Sequence, residues 1–155
     1  MKKKEKYSLS NASNKDLEIL YFWRNQKSVR KWSFKKSKIS KNTHTEWFKK
    51  NSKSKKSIIK IFRYNNLRCG MVRLNLLKKN YNLNYLIDQK YRKKKLGKKM
   101  LSLFLKEIYK KINKKTYIIA KSEIRNISSN KCLLSVGFKL INKNNNVNKY
   151  IYETK

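Results

Sequence analysis

Ile87-Asp88-Gln89-Lys90-Tyr91-Arg92-Lys93-Lys94-Lys95-Leu96-Gly97-Lys98-Lys99-Met100 takes the chain from the end of a strand, through a basic turn, into a long helix. Six of the eight residues from Arg92 to Lys99 are basic, against 43 in 155 for the whole chain. They gather at a helix start, where backbone N–H groups without partners already carry positive partial charge. Each cation in a first helical turn is unfavourable by about 0.3–1 kcal/mol at an exposed site. A phosphate bound there reverses the sign, because amides and side chains then converge on one anion. Gly97 lets the backbone approach it.

The rest of the chain supplies a frame for that turn. Downstream, Leu96, Met100, Phe104, Ile108 and Ile112 recur every four residues, and Leu101, Leu105 and Tyr109 widen the stripe. Upstream, Ser57–Tyr64 is dense in β-formers, Asn65-Asn66 is a turn signal, and Arg68–Leu77 reads as the second arm of a hairpin. Tyr81–Ile87 adds a third antiparallel strand, with Tyr81, Leu83, Tyr85 and Ile87 alternating against Asn82, Asn84 and Leu86. Beyond the long helix, Thr116–Ala120 is a short apolar strand of the buried parallel type, since a helical crossover precedes it. Ser128–Ser135 is a helix closed by Gly137, and Phe138–Ile141 and Lys149–Glu153 are two closing strands around the polar stretch Asn142–Asn148. At the front, Tyr7-Ser8-Leu9 is a first strand. Ser13-x-x-Asp16 is a capping box ahead of a helix reaching Asn25, and a further helix starts after Ser40. The order is strand, two helices, three-strand meander, helix, strand, helix, two strands.

Composition narrows the classes. The chain has one domain's length, 1–155, and its 39% apolar content falls in periodic blocks. No apolar run approaches the roughly 20 residues of a membrane span, and Met1-Lys2-Lys3-Lys4 is not followed by the apolar stretch of a secretory signal. A cytoplasmic location is expected. Cys69 and Cys132 lack metal-ligand spacing and read as buried free thiols, so no metal is expected. The net charge of +35 invites a nucleic-acid reading. The lysines are spread over the whole chain between apolar positions, however, as solvated faces would place them, and an RNA-binding domain is kept only as the non-enzyme alternative.

The strand, basic turn and helix resemble the acetyl-CoA-binding segment of the GNAT superfamily of N-acetyltransferases, whose turn reads Gln/Arg-x-x-Gly-x-Gly/Ala. Arg92 and Gly97 match its ends, and Lys95 stands in the central glycine position. Asn126-x-x-Ser129 followed by Gly137-Phe138 is similar to the family's second signature, and the element order agrees over essentially the whole chain. The resemblance implies an α/β (α+β) fold, with a mixed, largely antiparallel central sheet, a splayed parallel pair and about four flanking helices. It implies acetyl-CoA as acyl donor. The turn Arg92, Lys93, Lys94, Lys95, Leu96, Gly97 and Lys98 would lie at the pyrophosphate, Leu86 and Ile87 would pair with the pantetheine amides, and Asn126 would bond the cofactor arm. Many members place a tyrosine acid seven residues after the signature asparagine, where this chain has Leu133. Members acting on ribosomal-protein N-termini place a glutamate base five residues before it, where this chain has Lys121. Both departures count against a protein N-terminal acceptor.

The remaining candidates for proton transfer are His44, Glu123 and Tyr85, with Glu46 on the same helix as His44; His44 is the only histidine, the side chain that titrates nearest neutrality. The front half resembles the sub-group acting on nucleotide-linked 4-amino sugars in pseudaminic- and legionaminic-acid-type pathways. On that resemblance Arg24, Asn25, Arg30, Trp32 and His44 form the acceptor side: the arginines suit a diphosphate bidentately, and Trp32 offers a flat face. A nucleotide-activated amino sugar is therefore the first expectation for the acceptor, and a protein amine the second. A homodimer is compatible with either.

Overall fold

The computed structural model describes residues 5–112 and 116–154, so the Met1–Lys4 start lies outside the described residues. The elements follow as β1 (Tyr7–Asn11), α1 (Leu17–Asn25), α2 (Lys27–Arg30), α3 (Lys41–Ser52), β2 (Ser57–Tyr64), β3 (Leu67–Leu77), β4 (Asn80–Ile87), α4 (Leu96–Ile108), β5 (Tyr117–Glu123), α5 (Ile127–Ser135), β6 (Lys139–Asn144) and β7 (Val147–Glu153). The seven strands form one sheet in the order β1-β2-β3-β4-β5-β7-β6. Every pair is antiparallel except β4 and β5. The expected mixed, largely antiparallel sheet with one parallel pair is what the chain builds.

Local chemistry explains most element ends. Asp16 accepts from the Ser13 N–H at 2.8 Å, closing the capping box, but a 3-10 turn over Asn14–Asp16 comes before α1 proper. Ser40 Oγ accepts from the Thr43 N–H and caps α3. Both hairpins of paired asparagines turn through the left-handed region, with φ of 48° and 68° at Asn65-Asn66 and 46° and 64° at Asn145-Asn146. Positive φ at both central residues is the type I′ geometry that matches strand twist. The second of these turns folds the polar stretch Asn142–Asn148 into the β6–β7 hairpin, so both closing strands run deeper into polar sequence than expected.

The sheet carries a core on each face. On one, α4 seats Leu96, Met100, Leu101, Phe104, Leu105 and Ile108 against Phe62, Val72, Leu74, Leu83, Ile118 and Tyr150. The helix stops at Ile108 rather than continuing to Ile112, which is nevertheless buried in the following turn. On the other face, Leu20 and Trp23 of α1 and Phe48 of α3 close over Ile61 of β2. Cys69 and Cys132 are free thiols, Cys69 fully buried and Cys132 partly so.

Candidate active site

The parallel pair holds the decisive geometry. β4 and β5 are in register only at Tyr81–Leu83 against Ile118–Ala120. Past that point Asn84–Ile87 and Lys121–Glu123 diverge without pairing to each other, leaving a notch and an unpaired backbone edge on β4. An extended chain with amides of its own can add to such an edge. Leu86 and Ile87 lie on that edge, Leu86 packed toward the α1 and α3 core and Ile87 toward α4.

The basic turn sits at the end of the same strand. Arg92 Nε donates to the Ile87 carbonyl at 3.1 Å, folding the turn back on β4, and burial pulls its guanidinium pKa down. Lys93 and Lys95 both take left-handed backbone, with φ of 62° and 56°. Lys95 therefore adopts the conformation that glycine supplies in the related turns. It is the N-cap of α4, and its side chain caps nothing, so the leading N–H groups of the helix remain available to an anion. Two of the cations are already committed: Lys94 Nζ lies over the Tyr91 ring and Lys99 Nζ over the Tyr7 ring, 4.8 Å from its centroid. Gly97 also serves the packing of the helix. A Cβ there would come within 3.3 Å of Cys132 Sγ, so the glycine lets α4 pack closely on α5.

Helix α5 forms the far side of the notch. Asn126 caps it through Oδ1, which accepts from the Ser129 N–H at 3.2 Å, leaving the side-chain amide N–H groups free of that duty. Ser129 Oγ is 2.8 Å from the Tyr85 hydroxyl, tying α5 to β4. Burial and the neighbouring Cys132 push the Tyr85 pKa up, so the phenol keeps its proton at neutral pH. Leu133 is fully buried in the core, and no group acts from that position.

On the opposite face the expected acceptor residues are used to build structure. Arg24 Nη2 donates to the Lys35 carbonyl at 2.7 Å, and Arg30 donates to Asn25 and Lys36 carbonyls. Asn25 exchanges two hydrogen bonds with the backbone of Ile39. These three residues shape the segment from Lys31 to Ser40 from within, because its carbonyls have no strand to pair with, while Arg24 Nη1 has no partner. Trp32 is half-buried under Lys31 Nζ. His44 is only 3% exposed, its ring against Tyr21 and Trp47, with Nε2 unpartnered. Burial lowers its pKa, so it is a neutral core imidazole on a helix that packs over β2 and α1. Glu123 pairs with Lys36 at the rim. A cleft of about 410 Å³ opens over β5, β6 and β7, lined by Phe34, Lys121, Asn142, Val147 and Lys149 among others.

Asp88 was not singled out from the sequence. It accepts from Trp23 Nε1 and Gln26 Nε2, both at 3.0 Å, and locks α1 and α2 to the end of β4. Burial pushes its pKa up, but the donors Gln26, the Lys90 N–H and Trp23 outweigh this and hold it below the usual carboxylate range. An aspartate directly after a strand and before a helical turn is a cap signal that marks the position. Arg73 is a second such residue, lying over the Trp47 ring at 5.0 Å.

Residues 8–139 match the family described as Acetyltransferase (GNAT) domain. A search of curated protein sequences finds no match. Among solved structures, a domain from Methanocaldococcus jannaschii DSM 2661 is 27% identical, with TM-score 0.82 over 96% of this chain and 99% of that one. The spermidine N-acetyltransferase from Vibrio cholerae in complex with CoA and spermine is 12% identical, with TM-score 0.81 over 94% and 92%. RimL, a ribosomal L7/L12 alpha-N-protein acetyltransferase in complex with coenzyme A, is 14% identical, with TM-score 0.79 over 95% and 93%. With a splayed parallel pair, an uncapped basic helix start and a family match over most of its length, this chain belongs to the GNAT acetyltransferases. It is an acetyl-CoA-dependent enzyme. The two ends of its donor suit the features present: amides for the open edge of β4, and a pyrophosphate for the start of α4. Among the described residues no helix is long and apolar enough to cross a membrane, and no group of histidine, cysteine or carboxylate side chains could hold a metal.

Proposed function

We propose that the acceptor is the α-amine at the N-terminus of a polypeptide. One observation carries this reading: among the described residues the notch offers no free base. Lys121 stands on β5, Leu133 is in the core, His44 is buried against Tyr21 and Trp47, and Glu123 is paired with Lys36. An amine must arrive neutral to attack a thioester. An α-amine has an ordinary pKa of about 7.7–8.0, whereas a lysine amine lies near 10.4. Only the former presents a large neutral fraction at neutral pH unaided. The missing glutamate thus argues against base assistance, not against the acceptor, and positioning supplies much of the rate.

The likeness to RimL, an alpha-N-protein acetyltransferase, supports the same choice. A polyamine acceptor, such as the spermine beside the Vibrio cholerae enzyme, fits less well, because Lys121 and Lys149 line the cleft and no carboxylate does. The nucleotide-sugar reading is less favoured, because Arg24 and Arg30 each spend part of their guanidinium on backbone carbonyls. In the proposed arrangement the backbone from Lys93 to Lys98 holds the pyrophosphate, the edge at Leu86 and Ile87 holds the pantetheine amides, and Asn126 supplies a further N–H. Tyr85, on β4 and hydrogen-bonded to Ser129 of α5, gives the proton to the leaving thiolate in this arrangement.

The test compares thiol release with three acceptors: a peptide with a free α-amine, the same peptide N-acetylated but carrying a lysine, and a UDP-4-amino sugar. Turnover of the first is expected, with kcat/KM rising with pH to a plateau near the α-amine pKa. Turnover of the blocked peptide or of the sugar in its place overturns the reading.

A further inference from the structure

A single transverse row of the sheet crosses the notch on the face that carries α1 and α3. Arg73 of β3 pairs with Asn84 of β4. Across the gap, Lys121 of β5 pairs with Lys149 of β7, which pairs with Asn142 of β6. Directly paired residues point to the same side of a sheet, so these five side chains share one face at the level where the strands part. Lys121, Lys149 and Asn142 also line the same cleft.

The row is cationic and unanswered. The described ion pairs take Glu123 to Lys36, Glu18 to Lys41, Glu107 to Lys60 and Lys111, and Asp16 to Arg68. None reaches Arg73, Lys121 or Lys149. Arg73 stands out even in a lysine-rich protein: its guanidinium is largely desolvated beneath α3, and its Nε has no partner. With only the Trp47 ring over it and no carboxylate beside it, that charge is unfavourable unless an anion completes it.

We infer that this row recognises carboxylates in the first residues of the acceptor, so that the enzyme selects polypeptides with an acidic N-terminal segment. The inference rests on the α-amine reading above. Strands lie about 4.8 Å apart and an extended peptide advances about 3.3 Å per residue. Side chains of an extended chain alternate in direction, so a chain with its amine at the notch carries its second and fourth side chains toward Lys121 and Lys149. Arg73, on the other side of the notch, closes the row toward Asn84. The same cations oppose a basic segment, which sharpens selection by repulsion.

Three peptides of identical length decide the matter, beginning Ser-Asp-Ala-Glu, Ser-Asn-Ala-Gln and Ser-Lys-Ala-Lys. At low ionic strength kcat/KM is expected to favour the acidic peptide over the neutral one by about threefold for each lysine engaged and about tenfold together. The preference should shrink as salt is added. Lys121→Gln with Lys149→Gln should bring the acidic-to-neutral ratio close to one. Lys79→Gln, a charge control in the turn at the far end of β4, should leave the ratio as it was. Equal rates on acidic and neutral peptides, or a preference that survives the double substitution, overturn the inference while leaving the α-amine acceptor standing. If no peptide is acetylated and the UDP-4-amino sugar is, the acceptor reading falls and this inference falls with it.

Discussion

Replacing Lys95 by glycine separates the two roles of the basic turn. Lys95 holds φ 56° and ψ 16° at the head of α4. For a residue with a Cβ this left-handed conformation is unfavourable by about 1–2 kcal/mol. Glycine removes that strain but gains freedom in the unfolded chain, which offsets about 0.4–1 kcal/mol. Lys95→Gly should thus be more stable than Lys95→Ala by about 0.5–1 kcal/mol, and both variants lose the same cation. In a chain of this size that difference is a Tm gap of about 1–4 °C. Thermal unfolding of the wild type and both variants in phosphate-free buffer measures it. Calorimetry with acetyl-CoA should show a similar loss for both, about two- to fivefold, from the missing charge. A glycine variant no more stable than the alanine variant would falsify the left-handed assignment. Unaltered cofactor affinity in both would show that Lys95 does not face the anion.

Other expectations follow from contacts already described. Gly97→Glu should abolish acetyl-CoA binding, since its Cβ alone meets Cys132 Sγ at 3.3 Å and its charge opposes a phosphate; wild-type affinity in calorimetry would mean that α4 can shift away. Asp88→Ala should lower stability by about 1–3 kcal/mol by stranding the Trp23 and Gln26 donors, measured by urea unfolding. The depressed pKa of Asp88 sets a sign for pH. Its stabilisation is complete above the unfolded carboxyl pKa of about 3.9 and is lost as pH falls through the lower folded value. Acid titration of Asp88→Asn should accordingly show a shallower loss below about pH 4, and an unchanged slope would remove the carboxylate from that role. Tyr85→Phe should lower kcat by about a hundredfold or more with little change in KM if the phenol donates the proton; an unaffected kcat assigns that step elsewhere.

Much of this architecture is legible because its signals are local. The bounds of Ser57–Tyr64 follow from a dense run of β-formers between polar flanks, and the start of α4 from an apolar stripe repeating every four residues. The same stripe misplaces the helix end, since Ile112 is buried by a turn that keeps the spacing without the helix. β6 is exposed along its whole length, so no burial pattern announces it; it exists through pairing with β7 alone. The four-residue α2 is too short for any periodicity to register. The site divides in the same way. The cofactor turn is contiguous and can be read as a motif, whereas the acceptor face is assembled from strands far apart in sequence. Whether Arg24 and Arg30 are free or bonded depends on the carbonyls of Lys35 and Lys36, and nothing in their spacing reveals it.

Among the described residues seven non-glycine positions hold positive φ, and every one is asparagine or lysine. Only one of its three glycines does. Turn positions that other sequences reserve for the smallest residue are here filled by side chains that tolerate the left-handed region to very different degrees. Asparagine does so readily and lysine poorly. The chain thus contains its own graded series for protein engineering: glycine introduced at Lys78, Lys93 or Lys95 should stabilise more than glycine at Asn65 or Asn146. A version reinforced at Lys78, outside the cofactor turn, would keep the enzyme intact while it is studied with its donor bound.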